Sequence, residues 1–486
     1  MRPAARLGLA ALAFAGLVAL AAALFEPRGD RAAAEAALDR WRSLPGSAEP
    51  HALGSPAHKR LGDALERLFA SFELESAHQS TPDGLRNFVA RRLGSSDLPP
   101  VVLMAHWDSV AAGPGAADDG AGMSVLLELA ARSARLPKTP LRTTIFLATD
   151  GEEAGLLGAK AFLATHPWAQ SGGILINMEA RGTSGPVLLF ETIGNQQQLI
   201  DAARGALDFP AAFSLAAEIY ERMPNDTDLS VFKGAPGWHG YNLAFIRGLE
   251  HYHTARDDAE HLSPESVAHL HSSARALLEY WQQHSAGQDF GNWEPRARAP
   301  HTSLFGSTLV VFPSRARWPM TLALTLFGIL MLGRSLRAWL GGWLVLAVSA
   351  GAALALTRLD LASAWALGAA AWLATALALE ARAAVGLLLV LNLLSALFLP
   401  AALPQTTLPL LAALVGEALR RILLQSSPLW WAVPMTVVTT AANAPVLLAL
   451  GWVQGHPGGP LLGLLWALLS IPWAVTVHLA GAQKHA

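Results

Sequence analysis

From Trp318 to the carboxyl terminus the sequence is a succession of apolar runs broken by a few polar residues. No other feature restricts the chain as much. Uncharged apolar stretches of about 18–20 residues fit a bilayer and have no place on a soluble surface. The runs lie near 318–333, 338–356, 362–380, 384–402, 428–452 and 460–480, with a weaker one near 407–424 that Glu417, Arg420 and Arg421 interrupt. Together they predict an all-α membrane domain of about seven helices over residues 318–486. At the other end Arg2 and Arg6 precede an apolar run from Leu7 to Phe25. Ala21-Ala22-Ala23 could imitate a signal-peptide cleavage site. The run exceeds the about 7–15 residues of a signal h-region, however, so residues 1–29 are expected to remain as a transmembrane anchor. With Arg2 and Arg6 inside, the next domain is exported. Arg334, Arg337, Arg382, Arg420 and Arg421 then fall on the inner side, as the positive-inside rule requires.

Between the apolar ends, residues 30–290 read as a soluble domain, joined to the membrane part by a polar, Pro-bearing linker at 291–317 with a short hairpin near 303–312. Apolar spacing predicts helices at Ala33–Leu44, His58–Phe72, Gly122–Ala134 and Ser263–His284. Strands are expected at Phe88–Ala90, Val101–Ala105, Thr143–Ala148, Gly173–Asn177, Val187–Phe190 and Leu243–Ile246. Alternating strands and helices predict an α/β domain with a mainly parallel, doubly wound sheet. A net charge of −2 gives no electrostatic case for nucleic acid. The absence of Cys excludes disulfides, thiolate metal ligands and a Cys nucleophile. Ala- and Leu-rich composition with Arg far commoner than Lys looks bacterial, so the exported face would be periplasmic and the membrane the inner one. In a eukaryote the same topology means the vacuolar or endoplasmic-reticulum lumen.

The chemistry centres on Ala148-Thr149-Asp150-Gly151-Glu152-Glu153-Ala154-Gly155-Leu156-Leu157-Gly158. Adjacent carboxylates at the carboxyl end of a buried strand sit where open α/β sheets place ligands, and two neighbouring Glu repel unless a cation divides their roles. His106-Trp107-Asp108 closes another apolar strand, with His106 and Asp108 on one face; imidazole suits zinc, and the carboxylate can hold the ring's other N–H. Asp118 and Asp119 open a helix in a Gly-rich setting, where they could cap it or bridge metals. Glu179, in Asn177-Met178-Glu179-Ala180-Arg181-Gly182, is a further acid at a strand end; Tyr252 and His253 follow the strand Leu243–Ile246. Each feature alone has a bland reading as a surface network, a helix cap or a packed aromatic. His51, His58, His78, His166, His239, His261, His269 and His271 lack such settings and are expected mostly at the surface.

Together these segments resemble the co-catalytic zinc aminopeptidase family of bacterial aminopeptidases, glutamate carboxypeptidase and glutaminyl cyclases. Within it the chain is most similar to the membrane-bound branch of vacuolar and endoplasmic-reticulum metallopeptidases. The resemblance covers about residues 45–285 and includes Pro50–Pro56 and Pro224-Asn225-Asp226-Thr227-Asp228. It implies two zinc ions held by His106, Asp118, Glu153, Glu179 and His253, with Asp118 bridging. Many relatives carry Asp where this chain has Glu179. Glu152 would be the general base, Asp108 would orient His106, Asp119 would be structural, and Tyr252 would donate to the oxyanion or simply pack. Arg181 and Asn225 could contact a peptide substrate. Three other readings compete: a glutaminyl cyclase-like transferase, a receptor on a peptidase scaffold and a transporter with an attached domain. Gly155–Ala159 favours the peptidase, the intact Glu152 and ligand set argue against a receptor, and few charges lie within the spans to support transport.

Overall fold

The computed structural model describes residues 23–81, 84–221, 223, 225–284, 299–304, 306–312 and 317–332, with single positions at 392, 407, 410 and 411. Most of the amino-terminal run lies outside these residues, as do the carboxyl-terminal runs after the first, apart from those single positions. By backbone proximity the chain divides into two units, one of Glu26–Arg298 with Gly306–Thr308 and one made of the remainder. Among the described residues no helix is long and apolar enough to cross a membrane.

The first unit is built on an eight-stranded sheet. In chain order its elements are α1 (Arg31–Arg42), α2 (Pro56–Ser71), β1 (Glu75–Ser80), β2 (Arg86–Arg92), β3 (Val101–His106), α3 (Gly120–Arg135), β4 (Thr144–Thr149), α4 (Leu157–Thr165) and β5 (Gly173–Ala180). There follow β6 (Leu188–Ile193), α5 (Gln196–Ala206), β7 (Ala211–Ala212), α6 (Ser214–Tyr220), β8 (Trp238–Phe245) and α7 (Pro264–Gln283). Local chemistry sets the helix starts. Asp30, Ser55, Asp119 and Ser263 each accept a first-turn backbone N–H, and Pro56 and Pro264 stand just inside, where a missing N–H costs nothing.

The strands run in the order β1-β2-β4-β3-β5-β8-β6-β7. The expectation of a mainly parallel sheet holds for its centre, where β4, β3, β5 and β8 are mutually parallel. Towards the edges the sheet is mixed, because β1–β2, β2–β4 and β6–β8 pair antiparallel. The difference has a physical cause. Central strands such as β3, β4 and β5 are buried throughout and read as continuous apolar runs, whereas β1 is largely exposed and polar. On one face Val102, Met104, Ile145, Leu147 and Leu175 pack with Ala159 and Phe162 of α4 and with Leu229 and Phe232 of a 3-10 turn, Asp228–Phe232. Helices α1, α3 and α7 pack together as a separate layer.

Register places the site. His106 pairs with Thr149 across β3 and β4, so the segments following both strands emerge side by side. Asn177 of β5 pairs with Asn242 of β8, and Asn242 pairs in turn with Glu191 of β6. β9 (His301–Leu304) and β10 (Thr308–Val311) form the hairpin anticipated near 303–312, and in the second unit α8 covers Arg317–Leu332 at the first expected carboxyl-terminal span.

Candidate metal centre

Five side chains from five different segments converge at the carboxyl ends of the central strands. His106 ends β3, Asp118 precedes α3, Glu153 follows β4, Glu179 lies near the end of β5, and His253 follows a short 3-10 turn at Leu249–His251. They form two clusters sharing one carboxylate: His106 with Asp118 and Glu179, and Glu153 with Asp118 and His253. His106 Nε2 lies 3.2 Å from Asp118 Oδ1 and 3.8 Å from Glu179 Oε2. On the other side His253 Nε2 lies 3.2 Å from Asp118 Oδ2 and 3.0 Å from Glu153 Oε1. The two oxygens of Asp118 therefore face different histidines.

This donor set fits zinc. With bonds of 2.0–2.2 Å in tetrahedral geometry, neighbouring ligand atoms stand about 3.3 Å apart, close to the spacings found. Glu153 Oε1 and His253 Nε2 are buried and close, yet neither makes a well-aligned hydrogen bond, so they aim at a common point instead of each other. His106 Nδ1 lies 3.0 Å from the carbonyl oxygen of Asp108, which as an acceptor fixes the tautomer with its Nε2 lone pair turned to the cluster. The electrostatics agree. Burial pushes the Glu153 and Glu179 carboxyls up, Glu179 further, and neighbouring acids add to this. Against burial, Asp118 and Glu153 drive His253 up to about 10. So many buried donors holding shared protons are what a cation would displace.

His253 adopts a left-handed backbone, φ 57°, unusual for a residue with a side chain and typical of strain held at functional positions. The ring of Tyr252 lies flat on that of His253, centroids 3.7 Å apart. Tyr252 thus packs as an aromatic while its hydroxyl makes no hydrogen bond among the described residues. Glu152 sits beside both clusters, and its carboxyl is pushed up to about 9 by burial and by Asp228, Asp118 and Glu153, with His106 opposing.

The surroundings hold backbone amides more than side chains. Asp108 was expected to orient His106 with its carboxylate. Its backbone carbonyl makes the short contact instead, while its carboxylate oxygen stands 3.6 Å from the ring. The carboxylate accepts the N–H groups of Glu152 (3.0 Å) and Glu153 (3.2 Å), because the two strand ends emerge together. Asp119 is structural, as expected: it takes the N–H of Gly122 at 3.0 Å and of His106 at 3.3 Å. Asp257, which had no assigned role, accepts the N–H groups of Ala117 (2.7 Å) and Asp118 (3.1 Å), with its carboxyl pushed up to about 7 by burial and Asp118. Its place four residues after His253 was the only sequence signal. Asp228 is buried and takes a hydrogen bond from the Thr149 hydroxyl, and burial raises its carboxyl to about 6.

A further chain of polar contacts runs into the sheet behind Glu179. Asn177 Nδ2 donates to Glu179 Oε1 at 3.1 Å and to Asn242 Oδ1 at 3.0 Å. Asn242 Nδ2 donates to Glu191 Oε2 (3.1 Å) and Thr227 Oγ1 (2.8 Å), and Lys233 Nζ pairs with Glu191 Oε1 at 2.6 Å.

Most other histidines depart from expectation. His51, His58, His166, His239, His269 and His271 are buried. Burial is tolerated where the ring is bonded, as for His58 to Asp150 (2.8 Å) and His271 to Glu128 (2.7 Å). His78 is exposed and His261 half-buried.

The chain is similar to several known proteins. Residues 87–278 match peptidase family M28. The chain is 33% identical over 248 residues to a vacuolar membrane protease of Candida albicans (strain WO-1), covering 48% of this chain and 29% of that protein. It is 28% identical over 283 residues to endoplasmic reticulum metallopeptidase 1 of Rattus norvegicus, covering 57% of this chain and 31% of that protein. The matched stretch thus spans under a third of either relative's length. Among solved structures, a Zn-dependent exopeptidase from Parabacteroides distasonis aligns at 18% identity with a TM-score of 0.39, over 53% of this chain and 99% of the other.

Proposed function

We propose that this chain, matched by peptidase family M28 over residues 87–278, is a membrane-anchored zinc exopeptidase that removes amino-terminal residues from peptides. The observation that carries the reading is the division of Asp118, one oxygen towards His106 and the other towards His253. Each half has a further carboxylate, Glu179 or Glu153, giving three donors to each of two zinc ions, the open set of catalytic sites. Zinc held there would lower the pKa of a water and polarise a carbonyl. Glu152, with no hydrogen bond to its carboxylate among the described residues, would be returned to its charged form by the neighbouring cations, and as a carboxylate it takes a proton from the attacking water. As the C–N bond breaks it returns that proton to the leaving amine nitrogen. The Tyr252 hydroxyl would donate to the carbonyl oxygen as charge develops on it. Asp108 keeps Glu152 and Glu153 in place through their amides.

The apolar runs at both ends are proposed as an anchor at residues 1–29 and about seven spans over 318–486, joined to the catalytic domain (30–290) by the linker 291–317. The relatives' names, one of a vacuolar membrane and one of the endoplasmic reticulum, support a membrane setting. Composition supports an inner membrane with the catalytic domain on the periplasmic side. Peptide and lipid bilayer are then its partners.

Zinc content and hydrolysis of aminoacyl-4-nitroanilides by the full chain, wild type beside Glu152→Gln, test the reading. The expected result is near two zinc per chain in both, with activity lower in the variant by about 10²–10⁴-fold. Pyroglutamate formation from amino-terminal glutamine, without peptide hydrolysis, would assign a cyclase. A chain without zinc would end the enzyme reading.

A further inference from the structure

We propose that Arg181 is the anchor for a carboxylate carried by the substrate, so that the favoured substrates are short peptides with a carboxylate one or two residues from the bond cut. This rests on the exopeptidase reading above and names its substrate class.

Arg181 lies two residues beyond the ligand Glu179, where the chain leaves β5, and its backbone N–H donates to Phe245 O at 3.0 Å. The strand exit is thereby pinned to β8 on the same rim as the metal ligands. Its guanidinium carbon stands 5.3 Å from the centre of the Tyr252 ring, and that ring is stacked on His253. The cation and the candidate ligand His253 thus both lie against the Tyr252 ring.

The side chain is half-buried, and its Nε is buried without a hydrogen-bond partner. Among the described residues no carboxylate pairs with it, although the candidate metal centre nearby is rich in acids. Asp118, Glu153 and Glu179 are turned to their histidines. A buried guanidinium N–H without an acceptor is costly, and a ring face satisfies the charge without satisfying the donors. What completes a planar fork of donors is a planar bidentate acceptor, and the common one on a peptide is a carboxylate. A peptide residue extends by about 3.3–3.6 Å. An anchor against the ring that stacks on His253 thus reaches a group near the scissile bond and not a distant one. The terminal carboxylate of a dipeptide meets that requirement, and so does an acidic side chain on either residue.

The test compares kcat/KM of the zinc-loaded full chain for Ala-Ala, Ala-Ala-amide, Ala-Glu-amide and Glu-Ala-amide, in wild type, Arg181→Gln and Arg181→Lys. Binding of the same peptides is measured by calorimetry in the Glu152→Gln background, where cleavage does not interfere. Wild type is expected to prefer one carboxylate-bearing peptide over Ala-Ala-amide by about 10–100-fold. Preference for Ala-Ala identifies the terminal carboxylate, and preference for Ala-Glu-amide or Glu-Ala-amide a side chain. Arg181→Gln should abolish the preference in both rate and binding, and Arg181→Lys should retain part of it. Equal rates for all four peptides in wild type would overturn the proposal, as would a preference that survives Arg181→Gln. Should Arg181→Gln not fold, the wild-type ratios and Arg181→Lys still decide. If no peptide is cut, the exopeptidase reading falls, and the binding comparison judges Arg181 separately.

Discussion

Asn177 and Asn242 carry no charge and touch no candidate metal position directly, yet they hold Glu179. Asn177 gives one amide proton to Glu179 Oε1, leaving Oε2 to face His106, and is itself held by Asn242 and through it by Glu191. Outer partners of this kind affect metal affinity by about 10–100-fold. Asn177→Leu, which keeps the volume and removes the donor, is expected to weaken zinc by that factor at the half containing Glu179 and to spare the half containing Glu153. A chelator-competition titration should then resolve a weak site beside a tight one. A titration like that of the wild type would refute the role. The candidate ligands were legible in the sequence because each stands at the end of an apolar strand. The asparagine chain was not, since its members meet through strand register across residues 177, 191 and 242.

Secondary elements were legible in proportion to how fully they are buried. β3, β4 and β5 declared themselves as uninterrupted apolar runs. β1, Glu-Ser-Ala-His-Gln-Ser, has no apolar pattern because it is an exposed edge strand whose pairing comes from β2. Helix α7 was visible by its spacing, but its histidines were not recognisable as buried. His269 accepts the Val187 N–H at Nδ1 (3.1 Å) and meets Phe209 O with Nε2 at 3.0 Å, tying α7 to two loops as a neutral ring. Burial lowers its pKa to about 4. Above an unfolded value of about 6.5 both states are neutral and the contact is at full strength. As pH falls from there towards 4, the unfolded chain takes a proton that the folded ring refuses, and stability drops by up to about 3 kcal/mol. His269→Gln can keep both hydrogen bonds without titrating. Its urea midpoint should therefore fall less than that of the wild type between pH 7 and pH 5. Equal falls would show that His269 is not responsible.

For the whole molecule, the proposed topology makes a clean prediction because the sequence contains no cysteine. A single Gln288→Cys, at the carboxyl end of the catalytic domain, should react with a membrane-impermeant maleimide added outside intact cells. Ala383→Cys, beside Arg382 in a connection assigned to the inner side, should react only after permeabilisation. Labelling of both from outside would overturn the assigned orientation. Sequence alone could propose these spans because bilayer thickness is written into run length, whereas the carboxyl-terminal runs say nothing of what they pack against.

One residue, Asp108, has a consequence for how this centre would fail. Its carbonyl steadies His106 at the end of one strand, while its carboxylate grips the amides of Glu152 and Glu153 at the end of the next. A candidate metal ligand from one strand, and the proposed proton carrier and a second candidate ligand from the other, are thus hung from a single peg. A small shift of Asp108 would carry all three along with it. Losing the peg releases them at once. Activity should be forgiving of gentle deformation and intolerant of damage at that point, a switch-like failure in place of gradual wear.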